Sequence, residues 1–359
     1  MKFESILYSL LPLFFAGLSF LFAFTLIKFL KEKLAVLHLK CGKKLPGKFQ
    51  SKLYLLGGAI LCFSTLLTIL ILYFIGFIDI AKFVPFMVTV LSFLILGLTD
   101  DIYDLPPLFK LIVQVLIAVV YIYISGIGIN NFYNFLGINE LGTDLSFVIT
   151  AFLIVLFVNM INMIDGIDGL CSSLCLLASL FFAYYAFLTN SDVIFFTNLI
   201  LASSLIAFIY FNIFSPFTIY MGDNGAYILG FYMIVHCLWF INDNAIVNTP
   251  NFSPVLLLSL FSYPFLDLTR VVFIRLKLGL NPMKGDQNHL HHKLVGVGLS
   301  HGLSSLYIIL VTFIIVVLNS QITQYDVNFQ VFITLITGLF LFHLPLLFKK
   351  SNAKIKIFN

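Results

Sequence analysis

Long apolar segments alternate with short polar ones along most of the chain. A helix that crosses a membrane needs about 20 consecutive, mostly apolar residues. About eleven segments come close to that length and carry few charges. They lie at residues 5–30, 53–75, 83–99, 108–125, 145–163, 171–189, 194–211, 226–241, 253–274, 304–319 and 328–348. The pattern predicts an all-α fold, a polytopic transmembrane bundle that forms a single domain over residues 1–359.

The composition agrees with a membrane protein. Of the 359 residues, 61% are hydrophobic and 10% are charged. A soluble domain carries about 25% charged residues, which excludes that class. The sequence shows no basic region with interleaved aromatic residues, so nucleic acid is excluded as a partner. The five cysteines form no CxxC pair and are interpreted as packing thiols rather than metal ligands.

The positive charges are distributed unevenly among the connecting segments. All of the 20 lysines and arginines except Lys2 and Lys82 fall on one side of the predicted bundle. Because positively charged loops stay in the cytoplasm, this asymmetry predicts an outside N-terminus and a cytoplasmic C-terminus. The polar motifs then all face the cytoplasm, on loops at about 99–110, 159–170, 212–225 and 277–303.

The first motif is a cluster of carboxylates from Asp100 to Asp104, followed by Lys110. Adjacent carboxylates at a membrane edge repel each other unless a cation or water neutralises them. Because ionisable residues next to lipid are costly, such a cluster indicates a functional site. A solvated loop before the helix that follows Pro107 would explain the same residues and stays open as the alternative.

The second motif, Asn159–Leu170, combines amides, acids and glycines. Asn159, Asn162 and Asp165 recur every three residues and therefore share one side of a helix. The glycines that follow permit a positive φ and a close approach of the backbone to a ligand. Such a helix end suits a base or a ribose held by side chains and backbone together. A helix C-terminus with a tight turn would explain the glycines but not the four amide and acid groups.

The third motif, Met221–Gly225, places Asp223 between two glycines at the start of an apolar helix. A carboxylate there is well placed for a hard cation, and the helix N-terminus itself suits a phosphate. An ordinary N-cap aspartate would give a similar sequence, so the cap stays open as the alternative.

The fourth motif is a cationic segment near residue 290. It gathers three histidines, two lysines and one aspartate, namely Lys284, Asp286, His289, His291, His292 and Lys293. These groups suit an anionic diphosphate. Zinc is the alternative, but no cysteine or third element supplies the usual ligand spacing. The remaining histidines are interpreted as structural; they are His38, His236, His301 and His343.

The four motifs supply acids for a divalent metal, basic groups for phosphates and amides for a nucleotide. This set predicts phosphoryl transfer from a soluble, nucleotide-activated donor to a lipid acceptor. The motifs and their order resemble those of the polyprenyl-phosphate N-acetylhexosamine-1-phosphate transferases, a family related to the phospho-N-acetylmuramoyl-pentapeptide transferase. The resemblance rests on Asp100-Asp101, Asn162–Leu170, Met221–Gly225 and His289–Leu294.

The resemblance implies a role for individual residues. The catalytic residues would be Asp100, Asp101, Asp165, His289, His291 and His292, with one of the first two acids deprotonating the lipid phosphate. The nucleotide- and cofactor-binding residues would be Asn162, Gly166, Ile167, Asp168, Asn212, Tyr220 and Lys110, with a uracil-binding turn at 166–168. Asp223 would be the principal ligand of Mg²⁺, with Mn²⁺ as the alternative ion.

The resemblance also implies the reaction and the partners. The expected enzyme transfers an N-acetylhexosamine 1-phosphate, GlcNAc before other sugars, from a UDP-sugar to undecaprenyl phosphate. It is expected in the bacterial cytoplasmic membrane, where it releases UMP and initiates a cell-envelope glycan such as O-antigen or a teichoic acid. Because Leu290 interrupts the histidine run, the muramoyl-pentapeptide transferase activity is placed second and stays open as the alternative. A membrane transporter is the non-enzymatic alternative, disfavoured because no internal repeat is visible. Membrane lipid is a further partner, and a homodimer stays open.

Overall fold

The computed structural model describes residues 2–41, 55–74, 76, 80–215, 218–249, 252–280 and 288–348. Lys284 and Asp286 of the fourth motif lie outside the described residues. The described helices are α1 (Lys2–Cys41), α2 (Gly57–Phe74), α3 (Ile80–Tyr103), α4 (Pro107–Ser125), α5 (Thr143–Ile164), α6 (Leu170–Thr189), α7 (Asp192–Ile209), α8 (Gly222–Asn242), α9 (Asn244–Val247), α10 (Val255–Leu260), α11 (Ser262–Lys277), α12 (Leu290–Gly296), α13 (His301–Ser320) and α14 (Val327–Phe348). A π-helical turn, Tyr210–Phe214, extends α7, and a hairpin is formed by β1 (Asn131–Phe135) and β2 (Ile138–Glu140).

The prediction of an all-α polytopic membrane protein is confirmed. Among the described residues, ten helices are long and apolar enough to cross a membrane, namely α1 to α8, α13 and α14. Several begin or end beyond the predicted spans. As a result Asp100 and Asp101 belong to the end of α3, and Asp223 belongs to the first turn of α8, rather than to loops. Their backbone positions are therefore set by helices.

The predicted ninth span, 253–274, is divided into two helices, α10 and α11. Pro264 explains the division, because proline has no N–H to donate to the carbonyl of Leu260 and its ring crowds that carbonyl. Between the two helices, Phe261 has φ −103° and ψ 19°. The sequence predicted about eleven spans. The described part of the chain contains ten continuous candidate spans, and the remaining predicted span is this broken segment.

The helix α8 lies at the centre of the bundle, and nearly all of its residues are buried. Helices in lipid pack most closely where small residues allow their backbones to approach. At the start of α8, Gly58 of α2 lies against the backbone of Gly225, and Gly97 of α3 lies against the backbone of Asn224. A Cβ at Gly58 or Gly97 would overlap these backbone atoms. This packing fixes the start of α8 between α2 and α3.

Hydroxyl groups join three helices inside the bundle. The Oγ of Ser204 in α7 lies 2.6 Å from the Oγ of Ser19 in α1 and 3.0 Å from the Oγ of Ser64 in α2. All three serines are buried. In apolar surroundings each bond avoids an unsatisfied polar group, so the three hydroxyls hold α1 against α2 and α7.

The far end of α8 meets the hairpin. The strands β1 and β2 pair antiparallel, and the hydroxyl of Tyr133 in β1 donates to the carbonyl of Ile241 in α8 at 3.1 Å. The backbone N–H of Leu136 donates to the side chain of Asn328 in α14 at 2.9 Å. The hairpin therefore packs against the end of α8 that is remote from Asp223.

Candidate active site

The site begins with Asp101, which caps a helix other than its own. The N-cap residue of α8, Met221, supplies no side-chain hydrogen bond. Asp101 at the end of α3 accepts the backbone N–H of Asp223 at 2.9 Å and of Asn224 at 3.2 Å. It also accepts the side-chain amide of Asn224 at 2.6 Å. The first N–H groups of a helix lack intrahelical partners and carry partial positive charge, so a carboxylate stabilises them.

Asp223 is held from a second side by the end of α5. The side-chain amide of Asn162 donates to Asp223 Oδ1 at 2.8 Å. Asn159 and Asn162, which were predicted to share one side of a helix, both lie on α5. The side-chain amide of Asn159 donates to the side chain of Gln114 in α4 at 2.6 Å. Asn162 thus orients the carboxylate of Asp223, whereas Asn159 joins α5 to α4.

Asp100 is buried and accepts three hydrogen bonds. Its Oδ2 lies 2.6 Å from Lys110 Nζ and accepts the hydroxyl of Tyr227 in α8 at 2.7 Å. Its Oδ1 accepts the backbone N–H of Leu105 at 3.1 Å. A buried carboxylate is tolerated when it is paired and hydrogen-bonded, which these donors provide. The alternative of a solvated loop does not fit Asp100, whose side chain is 1% exposed.

The turn after α5 carries the second motif. Asp165 ends α5 as its C-cap residue, and burial raises the pKa of its carboxyl well above the usual range. Repulsion from the carboxylates of Asp223, Asp101 and Asp168 raises this pKa further. Gly169 has φ +79°, a left-handed conformation that glycine adopts without strain.

Asn212 holds this turn through its backbone. Its Oδ1 accepts the N–H of Gly169 at 2.7 Å, and its Nδ2 donates to the carbonyl of Ile219 at 2.7 Å. Asn212 lies in the π-helical turn that follows α7 and is buried. Its amide therefore joins two backbone segments, and its predicted contact with a nucleotide stays a prediction. The ring of Tyr220, also predicted to lie near the base, is 45% exposed.

Asp168 meets a histidine that the sequence pattern did not assign to the site. The Nδ1 of His301 donates to Asp168 Oδ2 at 3.0 Å, and Ser305 donates to the Asp168 carbonyl at 3.0 Å. Both contacts come from α13 and bring His301 next to the second motif, and the interpretation of His301 as a structural residue stays a prediction. Its position only nine residues after His292 was the available signal. The side chain of Ile167 is buried, so a ligand at this turn would meet its backbone.

The three histidines of the fourth motif form one cluster. Their ring centres are 4.3 Å apart for His291 and His292, 5.5 Å for His289 and His291, and 6.5 Å for His289 and His292. Burial, together with repulsion from the neighbouring His292, lowers the pKa of His291 to about 3, so this ring is neutral at physiological pH. The Nδ1 of His291 lies 3.0 Å from the hydroxyl of Tyr263 in α11.

The second and fourth motifs meet at Gly166. A Cβ at Gly166 would overlap Nε2 of His291 and would lie 3.0 Å from Nε2 of His292. The backbone at Gly166 therefore approaches the histidine rings closely, and its predicted approach to a ligand stays a prediction. Nε2 of His291 is buried and has no hydrogen-bond partner among the described residues.

A buried carboxylate, Asp267 of α11, supports the histidine cluster. It accepts His289 Nδ1 at 2.7 Å and the backbone N–H of Leu290 at 2.8 Å. Arg270 donates to Asp267 Oδ1 at 2.8 Å and also to the carbonyl of Asn288. Sequence reasoning missed Asp267 as a site residue. The signal was present, because an acid and a base three residues apart inside a predicted span are costly and indicate function.

A groove of about 930 Å³ runs away from these residues between α4, α5 and α11. One end is polar and is lined by Lys110, Asn162, Asp223, Tyr227 and Arg275. The rest is apolar and includes Val115, Val119, Val148, Ala151 and Phe152. The groove therefore joins a charged end to a long apolar wall, an arrangement that suits an amphipathic ligand with one charged head.

The fold and the site define a polytopic helical membrane protein with an enzyme-like cluster of acids, amides and histidines at one end of the bundle. Residues 83–241 match the family model described as glycosyl transferase family 4. Over this region the chain is similar to glycosyl transferase family 4, in agreement with the resemblance of its motifs. The matched region contains Asp100, Asp101, Asp165 and Asp223.

Three relatives of known description are similar to this chain. One is a Bacillus subtilis protein described as a "probable undecaprenyl-phosphate N-acetylglucosaminyl 1-phosphate transferase", 27% identical over 76% of this chain and 75% of the relative. An "undecaprenyl-phosphate alpha-N-acetylglucosaminyl 1-phosphate transferase" of Haemophilus influenzae is 26% identical over 64% of each chain. The protein of the same description from Escherichia coli K12 is 29% identical over 23% of this chain and 22% of the relative.

Proposed function

We propose that this protein transfers N-acetylglucosamine 1-phosphate from UDP-N-acetylglucosamine to undecaprenyl phosphate, releases UMP, and thereby initiates a cell-envelope glycan. The groove is the observation that carries the proposal, because its polar end adjoins Asp223 and its apolar wall is continuous with it. The descriptions of the relatives name the same acceptor and the same sugar. The polar end would face the cytoplasm, where nucleotide sugars occur, and this agrees with the positive charges of the sequence.

The groove supports a prenyl phosphate as the acceptor. Its apolar residues would hold part of the hydrocarbon chain, and Lys110 at its polar end offers an ammonium group to the phosphate. Lys110 is oriented by Asp100, to which it is bonded at 2.6 Å. We infer that Asp100 contributes to binding of the acceptor by orienting the Lys110 ammonium group toward its phosphate.

Proton removal by Asp100 would contribute less to the rate of this reaction than its orientation of Lys110. A phosphate monoester has a second pKa of about 6 and is largely a dianion at neutral pH. Both oxygens of Asp100 already accept hydrogen bonds, from Lys110, Tyr227 and Leu105. Neutralisation of phosphate charge should therefore contribute more to the rate than proton removal.

Magnesium fits the donors of this site. Among the described residues, no group of three or more His, Cys, Asp or Glu side chains is arranged to hold a metal ion alone. Mg²⁺ is commonly held by one or two carboxylates together with substrate phosphates, and Asp223 offers a carboxylate oriented by Asn162. When bound there, Mg²⁺, or Mn²⁺ in its place, supplies neutralisation of diphosphate charge.

The donor would lie beside the turn at 166–168 and the histidine cluster, which contact each other at Gly166. The turn offers backbone groups for the uracil, and His289 and His292 offer ring N–H groups for the diphosphate. An oxygen of the lipid phosphate attacks the β-phosphorus of the donor, the bond from that phosphorus to the bridging oxygen breaks, and UMP leaves with that oxygen. The product carries the sugar on a lipid diphosphate.

The test is lipid-dependent release of UMP by the purified protein in detergent with Mg²⁺. UDP-GlcNAc, UDP-GalNAc and UDP-muramoyl-pentapeptide are supplied in parallel, each with and without undecaprenyl phosphate. We expect release with UDP-GlcNAc only when the lipid is present. Release from the pentapeptide donor instead would establish the alternative transferase activity, and no release from any donor would reject the proposal.

A further inference from the structure

The histidine cluster depends on a carboxylate that comes from a different helix. Asp267 lies on α11 and is 3% exposed, whereas His289 directly precedes α12 and is 5% exposed. The two side chains are bonded at 2.7 Å between His289 Nδ1 and Asp267 Oδ2. The described residues between them in the chain end at 280 and resume at 288. Contact through space, rather than local sequence, therefore sets the orientation of the His289 ring.

The surroundings of Asp267 fix its charge state. Its carboxylate receives three N–H donors, from His289, from the Leu290 backbone and from Arg270. Hydrogen bonds of this kind favour the ionised form of a carboxyl group. An ionised carboxylate only accepts hydrogen bonds, so the proton of this contact belongs to His289 Nδ1.

We propose that Asp267 is a positioning residue that accepts the Nδ1 proton of His289 and, as an ionised partner, favours the ring protonated on both nitrogens, so that His289 Nε2–H is left to donate to the diphosphate of the donor. The arrangement is a carboxylate–histidine pair, in which the partner of one ring nitrogen sets the state and the direction of the other. This inference rests on the proposed transferase function for its ligand, but the Asp267–His289 relationship itself does not.

Arg270 and the Leu290 backbone complete the support. Arg270 joins Asp267 to the carbonyl of Asn288, which precedes the histidines in the chain. Oδ1 of Asp267 accepts the N–H of Leu290, the first residue of α12. The same carboxylate thus fixes both the backbone and the ring of the segment that carries His289.

The kinetic test uses Asp267→Asn, whose side chain has nearly the same shape. Its carbonyl oxygen can still accept the Leu290 N–H, but its neutral NH2 group cannot accept the His289 Nδ1 proton, so the ring protonated on both nitrogens loses its ionised partner. We expect kcat to fall roughly 10- to 100-fold, the range observed when carboxylate partners of metal-bound histidines are replaced. The KM for the donor and the thermal midpoint should stay close to wild type, and Asp267→Glu should recover part of kcat.

Thr269→Val is the matched control on the same helix. Thr269 is exposed and bonds only to the Phe265 carbonyl of its own helix, so this variant should keep wild-type kinetics. If Asp267→Asn also kept wild-type kinetics, the carboxylate would act only as a backbone support and the proposal would be overturned. An equal loss in Asp267→Glu and Asp267→Asn, with unchanged ring protonation, would overturn it as well.

A second measurement does not depend on activity. Nitrogen NMR of protein labelled at its histidines distinguishes the ring protonated on both nitrogens from the Nδ1–H and Nε2–H tautomers, and the His289 signal is identified by its loss in His289→Gln. In the wild type we expect a proton on both nitrogens, and in Asp267→Asn we expect the Nδ1 signal to lose its proton. A wild-type ring protonated at one nitrogen alone would overturn the proposal even if the variant failed to fold. Absence of transfer in the wild type would instead reject the proposed function and leave this NMR test intact.

Discussion

Asp101 of α3 caps α8 directly at Asp223, whose backbone N–H it accepts at 2.9 Å. The residue proposed to hold the metal is therefore positioned by the adjacent acid of the first motif. The two neighbouring acids differ in their partners, because Asp100 bonds to Lys110 and Tyr227 whereas Asp101 bonds to the start of α8. Their predicted roles in catalysis can be separated by substitution.

Asp101→Ala removes the acceptor for three donors of α8. Loss of a helix cap costs about 0.5–2 kcal/mol, so we expect a lower thermal midpoint in detergent. We also expect a lower kcat, since the start of α8 carries Asp223. Thr99→Val is the control, because Thr99 lies in the same part of α3 and bonds only to carbonyls of its own helix. Lost activity with an unchanged midpoint would assign Asp101 to chemistry rather than to capping.

Asp223→Asn should remove Mg²⁺-dependent transfer. The amide keeps the size of the side chain but loses its charge, and removal of a group that stabilises developing charge costs about 10²–10³ in rate. Wild-type protein should lose UMP release in EDTA and recover it when Mg²⁺ is restored. Asp144→Asn, an exposed acid at the other end of α5, should retain full activity. Near-normal turnover by Asp223→Asn with Mg²⁺ would exclude Asp223 as the principal metal ligand.

Gly166→Ala should disturb the histidine cluster without adding charge. The new methyl group would overlap His291 Nε2, and overpacking of this kind costs about 1–3 kcal/mol. We expect reduced UMP release and a lower thermal midpoint. Gly296→Ala in α12 is the control, since a Cβ there meets no atom within 4 Å. Equal behaviour of the two variants would show that the turn and the histidines are not in contact.

Ala151→Phe should narrow the groove in its apolar part. We expect the KM for undecaprenyl phosphate to rise about tenfold, which corresponds to roughly 1.4 kcal/mol of lost binding, while the KM for the donor stays unchanged. A short, water-soluble prenyl phosphate should be used as well as by wild type. Leu145→Phe provides the comparison, because Leu145 is exposed on the same helix and does not line the groove. An unchanged KM for the long lipid in Ala151→Phe would place the acceptor elsewhere.

The neutral ring of His291 predicts a loss of stability in acid. In the unfolded chain a histidine takes up its proton near pH 6.5, whereas burial in the fold delays protonation to about pH 3. Between these values the unfolded state binds more protons, so stability falls as the pH is lowered, by at most about 1.4 kcal/mol per pH unit. Thermal midpoints between pH 7 and pH 5 should therefore decline less steeply in His291→Gln than in wild type. Parallel slopes would show that His291 does not cause the decline.

Much of the architecture and of the site was predictable from local sequence. Spans such as 145–163 and 171–189 agree with α5 and α6, because the helical backbone satisfies its own hydrogen bonds and lipid selects long apolar segments. The polar residues of the four motifs that the structure brings together were also singled out in advance, because acids and amides beside lipid are costly and therefore few. The division of the segment 253–274 was less visible, although Pro264 lay within it.

What the sequence by itself determined, then, is an all-α membrane protein with a region similar to glycosyl transferase family 4, and the set of polar residues available for its chemistry. Only the tertiary structure decided the partners, which are Asp101 with Asp223, Asp168 with His301, and Asp267 with His289. The first two pairs are separated by 122 and 133 residues in the chain. Hydropathy and helical periodicity describe single segments, whereas these contacts depend on which helices pack together and on the rotation of each helix about its axis.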